Sequence, residues 1–516
     1  MFDFSLYTAG LPLLGITTLL AILGGTLLGI TIGALPGLSA MMAVSILVPL
    51  TYGMTAEVAI LMLLGVYCGA NYGGSISAAL VNIPGTPSAV MTTLDAYPMA
   101  KQGKAGLAIG LATMSSAIGG FFSVVVLSTI SPLVAKFALQ FTSLEILSIA
   151  IFGISIMAFI SKGSTVKGLM AGVFGLMVAT IGFDPNTAVL RFNFGTIYLN
   201  SGVNFTAAMI GLFGLTEIML SSEKKIKQGR TELQHEVKNT FECFKYLRKS
   251  FWNIIRSSVI GVIVGAIPGA GGTIASIISY AQQKKLSKHP DEMGNGAIEG
   301  IVAAETANNA CTGGAMTTLL SLGIPGDAVT GILMGAFIIH GLQPGPNLFN
   351  TNFSLVSAIF IGMFIINILI LVLGLLGAPY FARLLTFPRY LLNTVILILC
   401  VVGTFGVQNS MFDVRMMVIF AVIGYVFTKL EVPRAPIVLA LILGPLMEEN
   451  LRRWLALSDG QYLQYFIECS QKTPIAPIVF GLTIFTLVSP VFKKKKIFSE
   501  DALIEYEQKN MEHESR

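Results

Sequence analysis

The chain has 516 residues, of which 54% are hydrophobic and only 11% are charged (32 basic and 27 acidic). A water-soluble protein carries about a quarter of its residues as charged side chains. This composition therefore excludes a soluble enzyme, a nucleic-acid-binding protein and a disordered chain. The net charge of +5 does not indicate nucleic acid, because the basic residues lie in loops that anchor membrane helices. The sequence predicts an all-α polytopic protein in a lipid bilayer.

Apolar runs long enough to cross the hydrocarbon core as helices recur along the chain. No basic residue precedes Lys101, so the first apolar run is predicted to be a retained membrane segment rather than a signal peptide. Two segments interrupted by Pro-Gly, 12–50 and 252–281, are predicted to enter the membrane and return as hairpins. Eleven crossings are predicted near residues 57–82, 105–130, 143–160, 166–182, 203–220, 297–322, 353–378, 388–408, 413–428, 434–447 and 473–492.

The distribution of basic residues predicts the orientation of the chain. With the N-terminus in the periplasm, 26 of the 32 Lys and Arg residues fall in cytoplasmic gaps and only 6 fall in outer gaps. Cytoplasmic loops of membrane proteins carry such an excess of basic residues. This rule also places the C-terminus in the cytoplasm.

Domain organisation follows from one polar stretch near the middle of the chain. Residues 223–256 carry 9 basic and 4 acidic residues and contain no long apolar run, which predicts a cytoplasmic linker. The predicted order is a first membrane repeat (1–222), this linker, a second membrane repeat (257–472), a final membrane helix (473–492) and a cytoplasmic tail (493–516).

An internal repeat connects the two halves. The pattern G-x3-G-A-[LI]-P-G occupies 29–37 and recurs at 261–269. A Gly-Gly pair followed by Ile-Pro-Gly occurs at 73–85 and again at 313–326. Equivalent loops carry opposite charge bias, and five crossings in each half is an odd number. The halves are therefore predicted to be inverted relative to each other, as in many secondary transporters.

The Pro-Gly pairs are predicted to break membrane helices, because proline removes a backbone donor and glycine lets the chain turn. At such breaks backbone NH groups can hold an anion and carbonyl groups can hold a cation. The alternative is that the pairs are packing kinks. The break residues are Pro36, Gly37, Pro84, Gly85, Pro268, Gly269, Pro325 and Gly326, with Gly73, Gly74, Gly271, Gly272, Gly313 and Gly314 beside them.

Small polar side chains cluster beside these breaks. A buried amide in hydrocarbon is costly without partners, so the asparagines favour a binding site, whereas a single Ser or Thr often bonds only its own helix. The first half contributes Ser39, Asn71, Ser75, Ser77, Asn82, Thr86 and Ser88. The second half contributes Thr273, Thr306, Asn308, Asn309, Thr312, Thr317 and Thr318.

Two acidic residues stand near the breaks of the second half. Glu305 begins the run ETANNA, and Asp327 directly follows Pro325-Gly326. An intramembrane carboxylate indicates a cation or proton site; the alternative is that Glu305 faces cytoplasmic water at a helix end. Lys and Arg occur in the predicted crossings only within the first three residues, at Lys167, Arg389, Arg415 and Arg434, and none lies deeper. An anionic substrate is therefore expected to bind backbone NH, Ser, Thr and Asn groups, together with a cation.

Cysteine and histidine spacing indicates no further chemistry. The five cysteines form no C-x-x-C pair and no metal-ligand pattern with the four histidines. We therefore expect neither disulfides nor a structural metal.

The motifs GALPGLSAMMAVSILVPLTYGM, NYGGSISAALVNIPGTPSAVMTTLDAYPMAKQGKAG and the run 265–346, which contains GAIPGAGG, ETANNA and GIPGD, resemble the large membrane subunit of the tripartite tricarboxylate transporters, the TctA family. The resemblance covers about residues 10 to 490. It implies secondary uptake of carboxylates across the bacterial inner membrane with a coupling ion, sodium or proton, and no other cofactor. It also implies a small transmembrane subunit and a periplasmic solute-binding protein as partners. Cys311 and Met316 depart from the small residues around them.

Two other functional classes compete with a transporter. An integral-membrane enzyme would need a catalytic constellation, and the sequence contains no H-E-x-x-H, G-x-S-x-G or phosphate-loop motif. A passive channel does not predict inverted Pro-Gly breaks. The longest outer gap, 448–472, is shorter than the ~40 residues that a small domain needs. A separate soluble protein is therefore expected to deliver the substrate.

Overall fold

The computed structural model describes residues 5–160, 165–184, 187–223, 237, 239–385 and 389–492. These residues are almost entirely helical, which confirms the predicted all-α membrane class. The exception is a short antiparallel hairpin, β1 (Gly182–Phe183) with β2 (Leu190–Arg191), in which Gly182 pairs with Arg191. The tail 493–516 lies outside the described residues. So does most of the part of the linker 223–256 that precedes Asn239.

The main helices of the first half are α1 (Ile16–Ala34), α2 (Ala40–Leu47), α3 (Ala56–Val81), α4 (Val90–Met99), α5 (Ala105–Ala138), α6 (Ser143–Ile160), α7 (Thr165–Ala179) and α8 (Phe205–Glu223). Those of the second half are α9 (Phe251–Ala266), α10 (Gly271–Leu286), α11 (Ile298–Leu322), α12 (Ala328–Ile339), α13 (Phe353–Leu384), α14 (Arg389–Gln408), α15 (Met411–Lys429), α16 (Ala435–Leu457), α17 (Tyr462–Lys472) and α18 (Ile475–Phe492). Short helical segments precede or join them at Ser5–Thr8, Leu11–Leu13, Pro49–Thr51, Pro87–Ala89, Ala100–Lys104, Ile197–Leu199, Thr240–Cys243, Phe244–Leu247, Arg248–Ser250 and Leu348–Thr351.

The first Pro-Gly pair of each half interrupts a helix, as the sequence predicts. The chain leaves α1 at Ala34 and re-enters a helix at Ala40, and it leaves α9 at Ala266 and re-enters at Gly271. Gly37 and Gly269 both have positive φ, +89° and +84°. Only glycine adopts this backbone conformation at no steric cost, which explains the Gly of each pair.

The second pair of each half does the same. α3 and α11 end in the left-handed residues Asn82 (φ 54°) and Gly323 (φ 71°), and Ile-Pro-Gly follows. Helical structure then resumes at Pro87 and at Ala328. The resulting short helices α4 and α12 fall in stretches that the sequence predicts to be gaps between crossings.

Seven of the described helical segments are long and apolar enough to cross a membrane, namely Ile16–Ala34, Ala56–Val81, Pro87–Ala138, Phe205–Glu223, Phe353–Leu384, Leu391–Gln408 and Met411–Lys429. An eighth candidate is a pair bent by 108°, Tyr462–Gln471 with Ile475–Val488. The chain is thus a multi-pass membrane protein. The count of eleven crossings with two hairpins, and the inversion of the halves, stay predictions.

Glycines let the broken helices pack backbone to backbone. A Cβ on Gly25, Gly29 or Gly33 of α1 would overlap a carbonyl oxygen of α3. A Cβ on Gly261 or Gly265 of α9 would likewise overlap a carbonyl oxygen of α11. Small residues that allow such close approach are typical of helix packing in membranes. The matched contacts in the two halves agree with the sequence repeat.

In each half the second break packs against the helix that leads into the first break. A Cβ on Gly85 would overlap the carbonyl oxygen of Gly33, and a Cβ on Gly326 would overlap that of Gly265. In the second half the two breaks are also joined by a hydrogen bond, in which the Gly269 NH donates to the Gly326 carbonyl at 2.8 Å. Each half therefore holds its two breaks side by side.

The halves interlock through α5 and α11. Gly119 of α5 lies against the carbonyl of Thr306, and Gly313 of α11 lies against Ser123. His340, at the end of α12, places its ring nitrogens 2.8 Å from the Ala336 carbonyl oxygen and 3.0 Å from that of Thr51 in the first half. The interface between the halves thus runs beside the broken helices.

Replacing Gly33 by alanine tests the backbone packing. The added methyl would overlap the Ala70 carbonyl, and relieving such overpacking typically costs about 1–3 kcal/mol. We expect Gly33→Ala to lower the unfolding temperature of the purified protein by several degrees. Gly24→Ala is the matched control, because the same helix leaves open space at Gly24. Equal unfolding temperatures for both variants would contradict the packing account.

The predicted orientation is tested by labelling single cysteines with a membrane-impermeant maleimide. Asn347 and Gln461 are exposed and should react from the periplasmic side, whereas Ser287 should react only from the cytoplasm. The five native cysteines are buried. Each single cysteine is introduced into a variant that lacks these five, so that only the introduced residue can react. Gln234, a fourth labelling position in the linker, lies outside the described residues. Labelling of the cysteine that replaces Ser287 in intact cells would overturn the inverted arrangement.

Candidate functional site

Glu305 lies where α11 meets two helices of the first half. Its side chain is fully buried, with no exposed surface. The Thr92 hydroxyl on α4 donates to one carboxylate oxygen, and the Ser116 hydroxyl on α5 donates to the other at 2.9 Å. The alternative that Glu305 faces cytoplasmic water is therefore wrong.

The carboxylate of Glu305 is held by neutral groups. Both of its oxygens accept hydrogen bonds from hydroxyls rather than from Lys or Arg. An ionised carboxylate in such surroundings is costly unless a proton or a cation neutralises it. The part of the chain that the structure describes contains no group of three or more His, Cys, Asp or Glu that could hold a metal ion.

Two asparagines continue this cluster along α11. The Asn309 amide donates to the Ser116 hydroxyl at 2.8 Å and to the Glu305 carbonyl at 3.3 Å. The Asn308 amide donates to the Asn71 carbonyl of the first half at 3.2 Å. The Oδ1 oxygen of Asn308 and the Oγ1 oxygen of Thr306 are buried, and neither has a hydrogen-bond partner among the described residues.

Asp327 stands at the start of α12. Its Oδ1 oxygen accepts from the Thr330 NH at 2.7 Å and from the Thr330 hydroxyl at 2.8 Å. The Tyr67 hydroxyl of α3 donates to its Oδ2 oxygen at 2.5 Å. Asp327 therefore caps a helix and joins the two halves.

Two breaks from opposite halves meet at Asn308. The second break of the first half places the Thr86 and Ser88 hydroxyls 3.0 Å apart. The first break of the second half places Gly272 against Ser88 and Asn308. A Cβ on Gly272 would lie 2.5 Å from Asn308 Oδ1 and 3.2 Å from the Ser88 Cβ. The structure thus brings together breaks that are far apart in sequence.

Other predicted site residues have packing or local roles. Gly73, Gly74 and Gly314 lie against Ile30, Thr86 and Val262. Ser39 caps α2 by accepting from the Met42 NH at 3.2 Å. Hydroxyls that bond a carbonyl of their own helix belong to Ser75, Ser77, Thr312, Thr317 and Thr318.

Asp95 is a buried carboxylate that sequence reasoning missed. Its Oδ1 oxygen accepts from the backbone NH groups of Gly294, Gly296 and Ala297 at 2.8 to 3.0 Å. The Tyr280 hydroxyl donates to Oδ2 at 2.8 Å. Asp95 thus ties α4 to the segment between α10 and α11, one turn from Thr92. A signal was present, because Asp95 is the only charged residue between Glu57 and Lys101.

Arg434 begins the predicted crossing 434–447, and its partners depend on contacts that the sequence does not predict. Its guanidinium donates to the Leu212 carbonyl at 2.7 Å and lies 3.4 Å from Glu217. Leu212 belongs to a π-helical turn of α8, Ile210–Leu215. Such a turn disturbs the regular hydrogen-bond ladder of a helix, and Arg434 supplies a donor there.

Charged groups gather around the β1–β2 hairpin, on the side predicted to be periplasmic. Arg191 contacts Glu448 at 2.6 Å, and Arg452 contacts Asp184 at 2.5 Å and Glu448 at 2.7 Å. The hydrogen bond from Arg191 lowers the pKa of the Glu448 carboxyl below its usual value. These ion pairs fix the hairpin against α16.

Comparison with known proteins identifies relatives along most of the chain. The sequence profile described as "Tripartite tricarboxylate transporter TctA family" matches residues 19–439. An "Uncharacterized 52.8 kDa protein in TAR-I ttuC' 3'region" of Agrobacterium vitis is 34% identical over 477 residues, which cover 92% of this chain and 95% of that protein. An "Uncharacterized protein in TAR-II ttuC' 3'region" of the same organism is 35% identical over 246 residues, 47% of this chain and 100% of that protein. No solved structure matches significantly.

Neutral substitutions test the cluster around Glu305. Glu305→Gln keeps the shape of the side chain but removes its charge and its proton, and Asn309→Ala removes the amide that holds Ser116. We expect both to abolish or sharply reduce transport while membrane insertion stays normal. Glu431→Gln is the control, because the Glu431 side chain is 82% exposed. Wild-type kinetics in the two site variants, at equal protein levels, would leave both residues with a structural role only.

Proposed function

Because the chain belongs to the tripartite tricarboxylate transporter TctA family, we propose that it is the large membrane subunit of a binding-protein-dependent secondary transporter that imports carboxylates. Membership of a transporter family agrees with a protein that is not an enzyme. The observation that carries the proposal is Glu305, a buried carboxylate held by neutral groups beside broken helices of both halves.

The proposed substrate site lies between the breaks. The described helices that border it offer the start of α10, which has no side-chain cap, the hydroxyls of Thr86 and Ser88, and the amide of Asn308. Helix starts of this kind favour negatively charged ligands. An organic acid can therefore bind there without a Lys or Arg partner.

The proposed coupling site is Glu305. The hydroxyls of Thr92 and Ser116 belong to the first half, whereas Glu305 belongs to the second. Neutralising the carboxylate with a proton or a sodium ion would change the contacts between the halves. Such a change lets an ion gradient bias the exposure of the substrate site to one side or the other.

The proposed assembly lies in the bacterial inner membrane with the N-terminus in the periplasm. The family implies further subunits, and we assign them as a small transmembrane subunit and a periplasmic solute-binding protein. The predicted outer gap 448–472 is occupied by the end of α16 and by α17. It supplies no separate receptor domain, which supports delivery of the substrate by a soluble partner.

Reconstitution tests the need for the binding protein. Proteoliposomes that contain this chain and its small membrane subunit should import little substrate at low concentration, even with an ion gradient. Adding the binding protein should raise the rate, because it concentrates the substrate and delivers it to the outer face. An ionophore that collapses the gradient should abolish accumulation. Full-rate import without the binding protein would leave a self-sufficient symporter and remove the tripartite reading.

A further inference from the structure

A surface groove of about 360 Å³ lies between α5 and the start of α9. One wall consists of Ile118 and Phe122 of α5. The other wall is one face of the helical stretch 247–258, with Arg248 at one end and Ser258 at the other. The side chains between these two ends are Phe251, Ile254 and Ile255. The groove is therefore apolar along its length, with a cation at one end and a hydroxyl at the other.

The aromatic residues around the start of α9 place this groove in the membrane. Phe251 and Trp252 are 55% and 71% exposed, and their rings meet edge to face at 5.6 Å. Exposed Trp and other aromatic side chains are typical of the level of the lipid head groups. A helix rises 1.5 Å per residue, so Ser258 lies about 10 Å further along α9 than Phe251. The groove thus runs from the head groups into the hydrocarbon, on the side predicted to be cytoplasmic.

The outer end of the groove is positively charged. Residues 240–256 contain four basic residues and one acidic residue. Arg248 is exposed and makes no hydrogen bond or ion pair with another described residue, whereas Arg256 donates to Gln283 at 2.9 Å. Basic pockets beside membrane helices bind anionic head groups, and a guanidinium matches the geometry of a phosphate. Arg248 is therefore placed to hold the phosphate of a lipid.

The inner end of the groove holds a buried hydroxyl. Ser258 is 1% exposed, and its Oγ oxygen has no hydrogen-bond partner among the described residues. Its neighbour Ser257 donates to Asn253 Oδ1 at 3.1 Å. A serine inside a helix usually bonds a carbonyl of its own helix, and a buried donor without an acceptor is costly. Ser258 is therefore available to donate to a ligand in the groove.

We propose that this groove binds one anionic phospholipid. The phosphate pairs with Arg248, an ester carbonyl accepts from Ser258, and an acyl chain lies along the apolar wall between them. Inorganic phosphate would leave that wall uncovered. The undescribed part of the linker, 224–236, contains only two hydrophobic residues, so it is too polar to cover the wall. The inference is independent of the proposed function, because it concerns lipid binding and not transport.

Two lipids that differ only in the head group test the site. Phosphatidylglycerol and phosphatidylethanolamine with identical acyl chains are titrated against the purified full-length chain in detergent, and binding is measured by native mass spectrometry. Phosphatidylethanolamine carries its own ammonium group, which competes for its phosphate. We expect the first bound phosphatidylglycerol to bind about tenfold more tightly than phosphatidylethanolamine, as for one hydrogen-bonded charge contact. Inorganic phosphate should not displace it.

Variants of the groove locate the contact. Arg248→Gln should remove the preference for phosphatidylglycerol. Lys249→Gln is the matched control, because it makes the same change of charge at an exposed neighbour that does not line the groove. Ile255→Trp fills the apolar wall and should weaken the binding of both lipids. Arg248 is exposed, so Arg248→Gln tests the contact even if Ile255→Trp fails to fold.

Four outcomes would overturn the inference. Equal binding of the two lipids would remove the anionic site. Equal losses in Arg248→Gln and Lys249→Gln would indicate diffuse attraction to the basic segment. Displacement by inorganic phosphate would indicate an ion site without a lipid. Loss of the bound lipid when the proposed small transmembrane subunit assembles with the chain would make the groove a subunit interface. None of these measurements depends on carboxylate import, so the lipid site and the proposed function can fail separately.

Discussion

A broken helix inside a bilayer exposes backbone groups that lipid cannot satisfy, and the architecture of this chain follows from how four such breaks are covered. Glycines bring the breaks against neighbouring carbonyls, as Gly85 does at Gly33 and Gly326 at Gly265. Ser39 and Asp327 cover two helix starts with their own side chains. The other two restarts, at Pro87 and Gly271, have no side-chain cap among the described residues, and Gly272 lies against Ser88 between the halves.

The same constraint explains why the polar cluster crosses between the halves. Glu305 and Asn308 of α11 find their partners on α3, α4 and α5 rather than on their own half. Asp95 ties α4 to the backbone before α11 in the reverse direction. Any relative movement of the halves must therefore exchange these bonds, and through them the proposed ion site and the proposed substrate site would respond to one another.

The sequence predicts what is local and misses what depends on distant contacts. The four breaks and the sequence repeat follow from proline chemistry and from spacing. The short helices α4 and α12 were not predicted, because each is shorter than a crossing and follows directly on a break. Thr92, Ser116 and Tyr67 look like ordinary residues of apolar helices, and only the fold places them beside Glu305 and Asp327. Gly73 and Gly314 belong to Gly-Gly pairs beside a predicted break, a pattern that also fits a binding site, and the structure shows that they pack against neighbouring helices.

The central claim is that Glu305 couples ion movement to substrate movement, and it is tested most directly by separating exchange from accumulation in Glu305→Gln. In proteoliposomes with the complete assembly, exchange of labelled for unlabelled substrate needs no net ion transfer, whereas accumulation against a gradient does. The account predicts that Glu305→Gln retains exchange and loses accumulation. Accumulation at the wild-type level in Glu305→Gln would contradict it.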